Sequence, residues 1–206
     1  MPPRHAVALT HLRATDPTLG AWIDHVGSCG LVRSRVGTHF DAITRSIVYQ
    51  QLSGAAAATI HGRLRALYGE RNPSPEELLR TPVTVLRGVG LSGRKAEYLL
   101  DFAARARDGS LPVEGLHTLD NNEVLRVLTS VRGIGEWTAQ MFLMFRLGRP
   151  DVLPVLDLGV QKGVQLLYRL RKLPTPERVA AIGKRWAPYR TVASWYVWRR
   201  VDTPPQ

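Results

Sequence analysis

Apolar residues recur with a helical period along most of the chain, and this pattern constrains the fold more than any other feature. In the segment 40–48 they are spaced as one face of an amphipathic helix, and the segment 96–106 repeats the pattern. No segment shows the sustained apolar–polar alternation between turn residues that a half-buried strand requires. The sequence therefore predicts an all-α protein of about nine or ten helices.

The charge of the chain favours a polyanionic partner. Its 206 residues include 28 lysines and arginines against 17 acidic residues, which gives a formal net charge of +11. The corresponding pI is near 10.6. Nucleic acid and an anionic membrane surface are the partners that such a charge favours. A basic protein with no polyanionic partner is the alternative, and charge alone does not separate the two.

Cysteine content and hydropathy exclude several classes of protein. Cys29 is the single cysteine, so an internal disulfide framework, a four-cysteine zinc site and an iron–sulfur cluster are excluded. No apolar run approaches the roughly 18–20 residues of a membrane span, and the first four residues do not resemble a secretory signal. These features predict a cytosolic protein with no membrane association.

A short hairpin at 131–135 joins two helix-like segments and contains two glycines. Gly133 and Gly135 permit positive φ and close approach of another backbone, and Ile134 between them would anchor the turn in the core. The amides of the turn and of the following helix start would then face an anion such as a phosphate. An ordinary corner between two helices, with a glycine cap, is the alternative. The flanking helices are expected at 120–129 and 136–147.

Longer strings carry a more specific signal than the hairpin alone. The hairpin string is VRGIGEWTAQMFLMF, and DVLPVLDLGVQKG follows it. Three further strings are AITRSIVYQQLSGAAA, GLSGRKAEYLLDFA and RWAPYRTVASWYVW. On these strings, which together span roughly 40–198, the chain resembles the helix–hairpin–helix DNA glycosylase superfamily. Within that superfamily it is most similar to the 3-methyladenine DNA glycosylase II branch of alkylation repair.

The resemblance implies two helical lobes with a DNA-binding cleft between them. The central lobe, 39–155, would contain the helix–hairpin–helix motif, and 1–38 with 156–206 would form the second lobe. Larger members of the family carry an N-terminal β-sheet domain. The first forty residues of this chain show no strand pattern, so it is similar to a compact form without that domain.

The resemblance also implies the type of reaction. Members that cut the strand as well as excising the base keep a lysine just after the hairpin glycines, where it forms a Schiff base with the sugar. Trp137 stands at that position. An indole cannot form an imine, so an enzyme without lyase activity is expected. Asp157 stands where the family keeps its catalytic aspartate; alternatively it only caps a helix, and the two roles can coexist.

Alkylated purines are cationic, and an aromatic pocket suits them because a cation is attracted to the face of an aromatic ring. The positions that the resemblance assigns to this pocket are Trp137, Trp198, Met141 and, as a weaker candidate, Tyr49. Larger relatives have a tyrosine at the position of Met141. Core packing is the alternative for any tryptophan, and it is the preferred interpretation of Trp186 and Trp195.

The remaining assignments concern the DNA backbone and the gap that a flipped base leaves. The family fills that gap from the turn corresponding to YQQLSG, where the wedge position falls at Gln51, with Leu52 next to it. Alternatively, Gln50 and Gln51 merely end a helix. The phosphate contacts are assigned to Gly133, Gly135, Arg132, Thr138 and Lys162, with Arg94 and Lys95 as further basic candidates. The backbone carbonyls of Thr129, Val131 and Ile134 would hold a monovalent cation, Na⁺ or K⁺, and no other cofactor is expected.

The function that the resemblance implies is that of a monofunctional DNA glycosylase in base excision repair. Such an enzyme flips an alkylated purine, of the 3-methyladenine or 7-methylguanine type, out of duplex DNA. It then hydrolyses the N-glycosidic bond and leaves an abasic site. The protein is expected to act on DNA as a monomer. A helix–hairpin–helix protein that binds DNA without catalysis, and a glycosylase for oxidised or mismatched bases, are the alternatives.

Overall fold

The computed structural model describes residues 5–202, and all regular secondary structure within them is helical. The α-helices are α1 (Ala6–Thr15), α2 (Pro17–Val26), α3 (His39–Tyr49), α4 (Gly54–Ala66), α5 (Pro75–Arg80), α6 (Val83–Gly88), α7 (Gly93–Asp108), α8 (Asn121–Thr129), α9 (Glu136–Met141), α10 (Leu158–Leu167), α11 (Pro176–Gly183) and α12 (Arg190–Asp202). Two 3₁₀ helices are Val113–Thr118 and Lys184–Trp186, and a π-helical segment, Phe142–Leu147, continues α9. The all-α prediction is confirmed. The structure has more α-helices than predicted, in part because the six residues of α6 are too few to show a periodic stripe.

The chain divides into two compact units. The first unit combines Met1–Ser34 with Leu143–Gln206, and the second unit is Arg35–Phe142. This division differs at both boundaries from the predicted lobes, 39–155 and 1–38 with 156–206. Residues 1–4 and 203–206 of the predicted second lobe lie outside the described residues.

The later boundary differs because the segment after Phe142 bonds to the N-terminal part of the chain. The amide of Ser34 donates to the carbonyl of Phe145 over 2.8 Å. Arg33 Nε donates to the carbonyl of Arg146 over the same distance. These long-range bonds leave no periodic signal in the sequence, so the helix that starts at the hairpin was expected to stay with the hairpin along its whole length.

The first unit has a core that includes the fully buried side chains of Trp186 and Tyr196. Asp16 caps α2 by accepting a hydrogen bond from the amide of Leu19 (3.1 Å). Its other oxygen accepts from Trp186 Nε1 (2.9 Å) and from the hydroxyl of Tyr168 (2.5 Å). Hydrogen bonds of this kind offset the desolvation of a buried carboxylate. The network therefore joins α2 to the C-terminal helices, and the core interpretation of Trp186 is confirmed.

The second unit fixes the start of α3 by three acidic or hydroxyl groups. Thr38 and Asp41 form a reciprocal capping box. The carboxylate of Glu114 accepts from the amides of His39 (3.2 Å) and Phe40 (3.0 Å). The ring of Phe40 stacks on that of Phe102 in α7, with centroids 4.7 Å apart. The helix that leads to the predicted wedge is thus held at its beginning by capping and by aromatic packing.

Two helix starts follow the sequence signals closely. Asp120 accepts from the amide of Glu123 (2.9 Å) and Glu123 accepts from the amide of Asp120 (3.2 Å), so the capping box expected ahead of α8 is confirmed. Thr175 caps α11, and Pro176 occupies the first helical position. Among the helices described, none has the length and apolar character needed to cross a bilayer.

Candidate functional site

The hairpin between α8 and α9 is anchored by two apolar residues. Val131 and Ile134 are 2% and 4% exposed. The amide of Val131 donates to the carbonyl of Leu128, and the amide of Ile134 donates to the carbonyl of Val131, each over 3.1 Å. The expectation that Ile134 anchors the turn is confirmed. These two buried residues fix the turn against the core. The other residues of the hairpin therefore form its exposed side.

The two glycines of the hairpin serve different purposes. Gly133 has φ of +81°, and a Cβ at that position would lie 2.1 Å from the ring of Tyr98. Gly135 has φ of −86° and ψ of 171°, an extended conformation open to any residue. Gly133 therefore adopts the positive φ that a glycine permits, whereas Gly135 does not. Apart from its two chain neighbours, no atom of residues 5–202 would lie within 4 Å of a Cβ on Gly135, so its lack of a side chain leaves open space beside the turn.

Side chains around the hairpin are partly engaged within the second unit. The amide of Arg132 donates to the Asp101 carboxylate (3.3 Å), and its exposed guanidinium lies 3.5 Å from the Glu97 carboxylate. Thr138 is 7% exposed, and its hydroxyl lies 3.4 Å from the side-chain amide of Gln50. The phosphate contact assigned to Thr138 stays a prediction, with its backbone amide and its hydroxyl both capable of donating.

Residues 50–53 form the turn between α3 and α4, which we call the wedge turn. The side chain of Gln50 donates from Nε2 to the carbonyl of Gly133 over 2.9 Å. Gln51 is exposed and has φ of +54°, and Leu52 is 39% exposed. The α3 helix ends at Tyr49, so the interpretation of the two glutamines as a helix end is correct for the backbone. That geometry also turns the side chains of positions 51 and 52 toward solvent.

Lys95 lies beside the wedge turn and is not a freely solvated cation. Its Nζ donates to the carbonyls of Val48 and Gln50, each over 2.7 Å. Partial burial lowers the pKa of the Lys95 ammonium below its usual value. Two of the three donors of Lys95 are therefore directed at the end of α3, and its candidate role as a phosphate contact stays a prediction. Arg94 on α7 and Lys162 on α10 are both exposed.

The second unit carries three of the residues assigned to the base pocket. Trp137, in the first turn of α9, is 46% exposed, and Met141 is partly buried at the end of that helix. The Arg45 guanidinium lies 4.0 Å from the ring centroid of Tyr49, which a His61 ring approaches edge-on at 6.1 Å. Trp137 offers a large aromatic surface at the start of the hairpin's second helix, whereas the ring of Tyr49 already contacts a cation.

Asp157 caps α10 in the first unit, as the alternative interpretation of its sequence context predicts. Its Oδ1 accepts from the amide of Val160 over 2.7 Å. The same oxygen accepts from the indole Nε1 of Trp198 over 2.8 Å. Asp157 is partly exposed, and its neighbours Leu156 and Leu158 are 54% and 65% exposed. The carboxylate is thus held by two donors at one oxygen, at a surface bordered by apolar side chains.

Trp198 positions this carboxylate through packing as well as through its hydrogen bond. Its ring stacks on that of Phe145, with centroids 6.0 Å apart. Gly159 makes room for the contact, because a Cβ there would lie 3.0 Å from both Asp157 Oδ1 and Trp198 Cδ1. Sequence reasoning assigned Trp198 to the base pocket and missed its bond to Asp157. The two residues lie on different helices, so no local spacing signals that they meet.

The carbonyls assigned to a monovalent cation lie in or beside the hairpin. The carbonyl of Val131 accepts from the amide of Ile134, as described above, and a carbonyl oxygen has a second lone pair. The monovalent cation at these carbonyls stays a prediction. Within residues 5–202, no group of three or more histidine, cysteine, aspartate or glutamate side chains is placed to hold a metal ion.

Comparison with protein families identifies a match over most of the chain. The model of the HhH-GPD superfamily of base excision DNA repair proteins matches residues 44–188. DNA-3-methyladenine glycosylase 1 of Schizosaccharomyces pombe is 36% identical over 162 residues, which cover 78% of this chain and 71% of that protein.

Solved structures share both the fold and a substantial part of the sequence. A DNA-3-methyladenine glycosidase from Bacillus halodurans superposes with a TM-score of 0.87 at 38% identity, covering 95% of this chain and 89% of the other. The 3-methyladenine DNA glycosylase Mag1 of Schizosaccharomyces pombe, in complex with abasic DNA, superposes with a TM-score of 0.82 at 33% identity. That alignment covers 93% of this chain and 95% of the other.

Proposed function

The chain belongs to the HhH-GPD superfamily of base excision DNA repair proteins, and from this premise we propose that it is a monofunctional DNA glycosylase. Its substrates are alkylated purines of the 3-methyladenine and 7-methylguanine type in duplex DNA, and its DNA product is an abasic site. Relatives named DNA-3-methyladenine glycosylase support this substrate class. We further propose that it acts as a monomer in the cytoplasm.

The observation that carries the proposal is the double anchoring of Asp157. Two donors, the amide of Val160 and the indole of Trp198, hold one carboxylate oxygen at 2.7 and 2.8 Å. An acid held in this way does not have to reorganise when positive charge develops near it. Such preorganisation is what a reaction through a cationic transition state requires.

In the proposed reaction, the Asp157 carboxylate stabilises the positive charge that develops on the sugar. As the N-glycosidic bond breaks, its electron pair passes to the purine nitrogen and neutralises the cationic alkylated base. The deoxyribose is left with oxocarbenium character, and the Asp157 carboxylate stabilises that positive charge. Water then adds to the anomeric carbon and loses a proton to solvent, which leaves the abasic sugar. Loss of one preorganised group of this kind costs on the order of 10²–10³ in rate.

The aromatic residues provide the selectivity for a charged base. A cation over the face of an indole gains roughly 0.5–2 kcal/mol, and Trp137, which is 46% exposed, is the aromatic residue that we assign to this contact. Trp137 also stands where bifunctional relatives keep a lysine, and an indole forms no Schiff base. The enzyme therefore leaves the strand intact after excision.

The hairpin supplies the contact to the DNA backbone. Gly135 leaves open space beside the turn, and the amides that follow it lie at the positive end of a helix. The carbonyls of Thr129, Val131 and Ile134 would hold a Na⁺ or K⁺ ion, whose charge would attract a phosphate oxygen. The net charge of +11 adds long-range attraction, so affinity should fall as salt concentration rises.

The proposal is tested by incubating the protein with methylated duplex DNA and identifying the bases released. We expect 3-methyladenine and 7-methylguanine in the supernatant, with strand breaks only after treatment with alkali. Unmethylated duplex and duplex containing 8-oxoguanine are the matched controls, from which no base should be released. Release of no modified base would indicate a binding protein without catalysis. Strand breaks without alkali would instead indicate a lyase.

A further inference from the structure

We propose that Lys95 and Gln50 are positioning residues that hold the wedge turn in a preformed shape and connect it to the hairpin. Base flipping would then depend on both residues through Gln51, without either of them contacting DNA. The inference rests on the proposed function, because it concerns how the same site opens a duplex. Three features of the second unit carry it.

The first feature is the end of α3. The last carbonyls of a helix have no partner within that helix, and they lie at the negative end of its dipole. Lys95, which lies on α7, places its Nζ 2.7 Å from the carbonyl of Val48 and 2.7 Å from the carbonyl of Gln50. One ammonium group therefore closes the helix end and fixes the first residue of the wedge turn.

The second feature is the side chain of Gln50. Its Nε2 donates to the carbonyl of Gly133 over 2.9 Å and lies 3.4 Å from the hydroxyl of Thr138. Residue 50 is thus held at its backbone carbonyl by α7 and at its side chain by the hairpin. A displacement of the hairpin would therefore reach the wedge turn chiefly through the 2.9 Å bond from Gln50 to Gly133.

The third feature is the backbone of Gln51. A φ of +54° is the left-handed region, which residues other than glycine seldom adopt and which persists only where surrounding contacts impose it. The preceding residue supplies those contacts through its carbonyl and its side chain. Gln51 itself is exposed, so the constrained backbone presents its side chain outward. A wedge that is ordered before DNA binds avoids the entropy cost of ordering it in the complex.

The substitution Lys95→Met tests this inference against a direct phosphate contact. We expect the single-turnover rate of excision from methylated duplex to fall on the order of tenfold, because a small misplacement of the reacting groups lowers the rate strongly. Excision from the same strand as single-stranded DNA should change by less than about twofold, since no opposite base is left unpaired. The salt dependence of duplex affinity should stay unchanged.

Arg94→Met is the matched control, because Arg94 is the exposed cation next to Lys95 on α7. It removes the same charge at an exposed side chain, so the ratio of duplex to single-strand excision should not change even if a lost phosphate contact lowers the affinity. A phosphate contact at either position would lower the slope of log affinity against log salt by about 0.9. A slope change of that size for Lys95→Met, or equal losses on both substrates, would overturn the inference.

A double-mutant cycle tests whether Lys95 acts through Gln51. In a Gln51→Ala background, Lys95→Met should reduce the rate of excision from duplex by less than a further twofold, whereas independent effects would multiply.

If Lys95→Met does not fold, Gln50→Leu is used for the same comparisons, because it removes only the side-chain contact to the hairpin. If the wild type releases no base, the proposed function fails separately, and the same variants are then compared by their affinity for duplex and single strand. The positioning role would be contradicted if the two substitutions reduced the excision rate by independent, multiplying factors. It would also be contradicted if neither variant changed the preference for duplex over single strand.

Discussion

At the scale of single residues, the two glycines of the hairpin differ in conformation and in surroundings. The string GIG suggests two equivalent glycines, yet only Gly133 has positive φ, and a side chain there would collide with Tyr98. Gly135 has an ordinary extended backbone and open space where a Cβ would lie. We infer that the fold requires glycine at position 133. At position 135, glycine would be required by the DNA phosphate that is proposed to bind there.

Substitution of each glycine by alanine should separate these requirements. Gly133→Ala forces a side chain into the Tyr98 ring at a left-handed φ, so the free energy of unfolding should fall by about 1–3 kcal/mol or more. Gly135→Ala should change the free energy of unfolding by less than about 0.5 kcal/mol. It should weaken duplex binding, because the added methyl group would occupy the space that the proposed phosphate contact needs. Chemical denaturation and fluorescence anisotropy with a labelled duplex measure the two quantities. Wild-type affinity in Gly135→Ala would exclude a close backbone approach at that position.

The same residues indicate how far the sequence could predict the site. The hairpin, its anchor Ile134 and the cap at Asp157 follow from local patterns, because turns and helix starts have strong residue preferences. The bond from Trp198 to Asp157 and the bonds from Lys95 to the end of α3 do not. These contacts join residues from separate helices, so their geometry depends on tertiary packing that a single sequence does not display.

At the scale of elements, several residues assigned to the site lie at the ends of helices. Asp157 begins α10, the wedge turn ends α3, and the hairpin begins α9. The start of α12 is held in a similar way by Asp151, whose carboxylate accepts from Arg190 Nε (2.6 Å) and from a second guanidinium nitrogen (2.7 Å). A bidentate pair of this kind fixes both the position and the orientation of a helix start.

The pair between Asp151 and Arg190 makes the stability of the first unit depend on pH. Burial alone would raise the pKa of Asp151, but the hydrogen bonds from Arg190 outweigh it, and the net pKa is below its usual value. A depressed pKa means that the stabilisation is present at neutral pH and is lost as the pH falls through the lowered value. Asp151→Asn should therefore cost about 1 kcal/mol at pH 7, allowing for solvent screening, and less as the pH falls below about 4.

The measurement for this prediction is denaturant unfolding of wild type and variant at pH 7 and at pH 3. Asp24→Asn is the matched control, because Asp24 forms an exposed ion pair with Arg13, in which its side chain is 64% exposed. Exposed pairs contribute little, so this variant should match the wild type at both pH values. An Asp151→Asn variant whose deficit is the same at pH 7 and pH 3 would show that the ion pair is not the source of the effect.

At the scale of the whole molecule, the two units hold different parts of the proposed activity. Asp157 and Trp198 belong to the first unit, whereas the hairpin, the wedge turn and Trp137 belong to the second. Composition and helical periodicity were sufficient to predict an all-α chain with a basic surface. They could not locate the unit boundary at Phe142, because a helix there continues in π-helical form while its hydrogen-bonding partners change. The predicted cleft between the lobes remains a prediction.

The proposed division of roles predicts that one substitution separates chemistry from DNA binding. Asn serves as a helix cap about as well as Asp, and its side-chain oxygen can still accept from Val160 and Trp198, so Asp157→Asn should fold normally. It lacks the negative charge that we propose stabilises the cationic sugar. The most direct measurement is therefore the single-turnover rate of methylated-base release by wild type and Asp157→Asn, with duplex affinity measured in parallel. We predict a loss on the order of 10²–10³ in rate at unchanged affinity. Wild-type release by Asp157→Asn would contradict a catalytic role for this carboxylate.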